Sequence, residues 1–76
     1  MSKSVYSRKY NRIIRVLIDE RLKKNLTQRQ IATALDKPQS YVAKYESCTR
    51  RLDILEFMDI CKALELRPSK VMVLTQ

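Results

Sequence analysis

Apolar residues recur at three- and four-residue steps along most of the chain, and the steps restart at a few polar breaks. Ile13, Ile14, Leu17, Ile18 and Leu22 form one stripe in a stretch without a helix breaker, which predicts a first helix from Arg8 to Lys24. Lys23 and Lys24 suit the negative end of that helix, and Asn25 can take the left-handed backbone that glycine usually supplies there. Leu26, Ile31, Ala32 and Leu35, and then Val42 and Tyr45, continue the pattern on the two sides of a break at Asp36-Lys37-Pro38. Thr27 and Gln30 make a capping box for a second helix reaching Leu35, and Pro38 presets the φ of a third that runs through Glu46. After a loop from Ser47 to Leu52, Asp53 and Glu56 make a second capping box. The fourth helix that follows has Leu55, Phe57, Met58, Ile60, Cys61 and Leu64 for its apolar side. Pro68 opens a last short helix to about Leu74, where Val71, Met72, Val73 and Leu74 are more apolar than one face of such a helix needs. The excess points to a partner surface.

These elements predict an all-α fold, a compact five-helix bundle in which the second and third helices and their tight turn form a helix-turn-helix. A chain of 76 residues is one domain, 1–76, and a domain of that size buries only about 60% of its unfolded surface, which favours local helix packing. Zero glycines and two prolines argue against a turn-rich β architecture. Cys48 stands in the Ser47–Leu52 loop at a place where such loops often carry glycine. Residues 1–7 carry no stripe and read as a flexible arm, with Ser4 or Ser7 available as a cap for the first helix.

Charge narrows the class of partner. The net charge is +8, and it is graded: residues 1–24 hold eight Lys/Arg against two Asp/Glu, residues 25–52 five against two, and residues 53–76 three against four. A basic surface of this kind attracts nucleic acid or an anionic membrane. The membrane alternative is weakened by the acids on the polar face of the first helix and by the lack of tryptophan. Cys48 and Cys61 are too few for a disulfide framework and read as reduced thiols. With no apolar run of membrane-spanning length and no signal-peptide core, the protein is expected in the cytoplasm.

No catalytic, metal or cofactor site is expected. The chain has no histidine and no glycine-rich phosphate loop, and its closest carboxylate pairs, Asp19-Glu20 and Asp53/Glu56, are expected on an exposed helix face and in a capping box. The third helix, by contrast, offers Gln39, Ser40, Tyr41 and Lys44 on its polar side and Val42 and Tyr45 on its apolar side. Glutamine can pair bidentately with adenine and lysine can donate to guanine, so the polar side has the chemistry of base readout as well as that of a solvated surface.

Leu26-Thr-Gln-Arg-Gln-Ile-Ala32, Leu35, Gln39-Ser-Tyr-Val-Ala-Lys-Tyr-Glu46 and Ile60-Cys-Lys-Ala-Leu-Glu-Leu66 together resemble the phage repressor and Cro family of helix-turn-helix domains, the Xre family. The resemblance spans about residues 8–74. It implies a lambda-repressor-like domain that binds a palindromic double-stranded DNA operator as a homodimer and regulates transcription. Base readout then falls to Gln39, Ser40, Tyr41 and Lys44, and backbone contact to Thr27, Gln28, Arg50 and Arg51. The resemblance also implies a structural ion pair between Arg21 and Glu46, and dimerisation through Val71, Met72, Val73 and Leu74 is expected. Controller proteins of restriction-modification systems and small phage repressors share this plan. The alternative is an antitoxin that binds both an operator and a toxin protein.

Overall fold

The computed structural model describes residues 8–76, so the arm expected over residues 1–7 and its capping serines lie outside the described residues. Five helices follow one another: α1 (Arg8–Lys23), α2 (Gln28–Leu35), α3 (Gln39–Glu46), α4 (Ile54–Ala63) and α5 (Pro68–Leu74). Local chemistry sets their starts. Thr27 Oγ1 accepts from the Gln30 amide at 3.0 Å and Gln30 Oε1 accepts from the Thr27 amide at 2.8 Å. Asp53 and Glu56 repeat the exchange at 2.8 and 3.0 Å ahead of α4. Each box satisfies two backbone donors that the helix itself leaves unpaired. Pro38 stands just before α3 with φ −71° and no side-chain cap, and Pro68 takes the first position of α5.

The first four helices end in the same way. Asn25, Asp36, Cys48 and Glu65 have φ of 58°, 57°, 63° and 55°, the left-handed region, in a chain without glycine. In each case the next amide turns back to a carbonyl of the final helical turn: Leu26 to Arg21 at 3.0 Å, Lys37 to Ala32 at 2.9 Å, Thr49 to Lys44 at 3.0 Å and Leu66 to Cys61 at 2.8 Å. Lys24 of the α1–α2 connection donates its ammonium to the Leu64 carbonyl, and so closes the C-terminus of α4 from outside.

The core draws on every helix: Ile14 and Leu17, Ile31 and Ala32, Val42 and Tyr45, Phe57, Ile60 and Cys61, and Val71, with Leu64 and Leu66 after α4. Burial pushes the Tyr45 hydroxyl up from its usual range and the Cys61 thiol up to about 11, so both stay neutral. α2 packs on α3 and α4, and α1 on α3 and α5.

Three apolar positions depart from the expected stripes. Leu22 is 52% exposed because the inward line of α1 runs Ile14, Leu17, Arg21, and residue 22 is rotated 100° from its end. Leu55 and Met58, 68% and 49% exposed, lie off the Phe57-Ile60-Cys61-Leu64 stripe for the same reason. Conversely Val71, expected on the partner surface, is 0% exposed and belongs to the core of its own chain. With Thr75, one turn on, it forms the inward face of α5.

Candidate nucleic-acid interface

Polar side chains at the start of α2 and along α3 form one connected surface, built outward from a shielded carboxylate. Glu46, at the last position of α3, accepts from Arg21 Nε at 2.7 Å and Nη2 at 3.0 Å. The two side chains keep only 12% and 7% of their surface in water. Arg21 Nη1 also donates to the Leu26 carbonyl at 2.8 Å, and the Glu46 bond raises the affinity of the guanidinium for its proton. Glu46 Oε1 accepts a third bond, from Gln28 Nε2 at 2.9 Å.

That third bond has a directional effect. A carboxylate only accepts, so the Gln28 amide must turn its NH2 inward and its oxygen outward. The outward oxygen accepts from Gln39 Nε2 at 3.4 Å, and Gln39 Oε1 in turn accepts from Arg29 Nη2 at 3.4 Å. Gln39, the first residue of α3, is thereby placed against the N-terminus of α2. Ser40 and Lys44 are exposed beyond it, whereas Val42 and Tyr45 on the opposite side are fully buried. Thr27 is occupied by its capping box. Sequence pattern alone missed both the Gln28–Glu46 bond and the place of Arg29, because neither follows a helical repeat.

The other candidates divide. Tyr41 is half-buried, edge-on to Tyr45 at 5.7 Å, and carries Lys37 Nζ and Arg50 Cζ 5.4 and 4.8 Å from its ring centre. Burial raises the proton affinity of its hydroxyl. Arg50 pairs bidentately with Glu56 at 3.0 and 2.7 Å and donates to the Arg51 carbonyl at 3.0 Å. This pairing and the bond from the Asp53 amide hold the Glu56 carboxyl down at about 2. No spacing rule foretold the pair, since Glu56 was already accounted for by its capping box. Arg51 is exposed, with its guanidinium carbon 5.3 Å from the Tyr10 ring centre. Cys48 donates from Sγ to Asn11 Oδ1 at 3.4 Å, tying the loop to α1.

Of the residues expected on the partner surface, Met72, Val73 and Leu74 are exposed. They are joined by Ile54, Leu55 and Met58 of α4, and Ile54 and Met72 line one apolar groove with Tyr10, Ile13, Leu52 and Phe57. Among the described residues no group of His, Cys, Asp and Glu is placed to hold a metal ion, and no helix is long and apolar enough to cross a membrane.

Two short helices joined by a tight turn, the second exposing a polar edge over the first one's N-terminus, define the helix-turn-helix class. A helix-turn-helix family model matches residues 17–71. An Xre-family-like protein from Pseudomonas syringae pv. tomato str. DC3000 is 34% identical, with a TM-score of 0.84 over 88% of this chain and 82% of its own. The wild-type restriction-modification controller protein C.Esp1396I is 25% identical, with a TM-score of 0.83 over 91% of this chain and 88% of its own. No curated protein sequence matches. The chain belongs to the Xre-type helix-turn-helix family of DNA-binding transcription regulators.

Proposed function

We propose that this protein is a sequence-specific transcription regulator of the cytoplasm that binds a palindromic operator as a homodimer, one α3 in each of two successive major grooves. The observation that carries this reading is the connected polar edge from Gln28 to Gln39, held from beneath by Glu46. It presents Gln39, Ser40 and Lys44 as the base-reading side chains, with Tyr41 at their margin. Thr27 and Gln28 at the N-terminus of α2, together with the α3–α4 loop, meet the phosphates. Likeness to a protein named as a restriction-modification controller supports a regulatory role.

The homodimer reading has its own support. Ile54, Leu55, Met58, Met72, Val73 and Leu74 expose large apolar side chains on α4 and α5, and Ile54 and Met72 line one apolar groove. Water-facing apolar surface of that kind marks an association site. Selection of bound duplexes from a random pool tests the whole reading. It should enrich a two-fold symmetric sequence whose half-sites lie about 34 Å apart. A pool without enrichment, or one that enriches an unrepeated motif, would contradict it.

A further inference from the structure

A chain of side-chain hydrogen bonds crosses the helix-turn-helix with a charged group at each end. Glu46 Oε1 accepts from Gln28 Nε2 at 2.9 Å, Gln28 Oε1 accepts from Gln39 Nε2 at 3.4 Å, and Gln39 Oε1 accepts from Arg29 Nη2 at 3.4 Å. Every bond therefore runs the same way, from the arginine toward the glutamate. A guanidinium only donates and a carboxylate only accepts, so neither end of the chain can reverse. Were the Gln39 amide to turn over, its oxygen would face the Gln28 oxygen and its NH2 would face the Arg29 donors. Both contacts would then set like against like. Arg29 itself is the second residue of α2 and is exposed, so the outer end of the chain is a surface side chain that the core does not use.

The two bonds occupy one hydrogen of the Gln39 NH2 and one lone pair of its oxygen, and leave one of each. That remaining pair is what an amide applies to a base edge, and adenine offers its N7 acceptor and N6 donor in a fixed order. An amide of fixed direction distinguishes this order from its reverse, whereas one that turns over accepts both. From this geometry we propose that Arg29 is a positioning residue for specificity, which, with Glu46 at the far end, fixes the direction of the Gln39 amide and sharpens preference at the base pair Gln39 reads. The inference rests on the DNA-binding reading above.

Competition between the duplex selected from the random pool and its single-base-pair variants tests it. Gln39→Ala first marks the base pair that Gln39 reads, as the position whose preference it erases. Arg29→Met, a change at an exposed position, should cut discrimination at that pair about threefold, roughly the bias of one hydrogen bond, and leave the other positions as in the wild type. Arg29→Lys, which still only donates, should keep the wild-type preference there. In the Gln39→Ala background Arg29→Met should change no base preference. An Arg29→Met protein that weakens every duplex by the same factor and keeps full preference at the marked pair overturns the inference, because that is the behaviour of a phosphate contact alone. So does an Arg29→Lys protein that loses as much preference as Arg29→Met. A wild type that selects no duplex, or a Gln39→Ala variant that erases no position, overturns the reading of α3 and the inference with it, whereas either adverse Arg29 result overturns the inference alone.

Discussion

At the scale of single residues, Glu46 joins three helices through one carboxylate: its own α3, α1 through Arg21, and α2 through Gln28. A shielded ion pair contributes little net stability over a well-packed apolar pair, yet breaking it from one side leaves a buried charge without a partner. Glu46→Ala should therefore cost about 3 kcal/mol, a large share of what a small domain has, and Arg21→Met/Glu46→Leu should cost far less. Thermal melts of the three proteins check this. Glu56 behaves differently because it titrates. Its folded pKa of about 2 lies below the ordinary value of 4.5, so its contribution is complete above about 4.5 and is lost as the pH falls toward 2. Glu56→Gln should flatten the fall in stability across that acid window while leaving the capping box able to form, since glutamine can take the place of Glu56 opposite Asp53. An unchanged acid profile in the variant would show that the Arg50 pair contributes nothing to folding.

At the scale of the element, the missing glycine is the chain's distinctive condition. Asn25 and Asp36 are the side chains best suited to a left-handed turn, since their short polar groups bond locally; Glu65 has no such excuse. Glu65→Gly should raise stability by about 1 kcal/mol, partly offset by the freer unfolded chain, and Asn25→Gly by much less. Denaturant unfolding of both variants is the measurement. The same comparison shows what was legible in the sequence. Both capping boxes, Pro68 and the left-handed Asn25 could be read because their chemistry is local, and α5 begins and ends at the expected residues, Pro68 and Leu74. Glu65 could not, because nothing in a glutamate announces a positive φ. Leu22, Leu55 and Met58 were misplaced because a helix with an apolar residue on several faces does not reveal which face the neighbours cover. The polar edge of α3 was visible as a pattern. Its attachment to Glu46 through Gln28 was not, because that bond joins residues 18 apart in sequence and depends on the crossing of two helices.

At the scale of the whole molecule, charge and apolar surface are segregated along the chain. The first two thirds carry the positive excess and supply α1, α2, α3 and their loops; the last third is slightly acidic and supplies most of the exposed apolar face on α4 and α5. Such segregation suits a protein that meets a polyanion with one side and a second copy with another. A single short recognition helix distinguishes too few base pairs to find one site among a genome's competitors, and two helices in fixed register multiply their discrimination. The association should thus be separable from DNA contact. Ile54→Gln/Val73→Gln replaces two exposed apolar side chains on different helices without altering charge or the core, so the fold and the salt slope per subunit should persist. Sedimentation should then show a monomer for the variant and a dimer for the wild type. Affinity for a symmetric site should fall to that for an isolated half-site, while affinity for the half-site itself should stay constant. A wild-type protein that sediments as a monomer would rule out this apolar face as the dimer interface, and a variant that remains dimeric would direct the search for the interface away from α4 and α5.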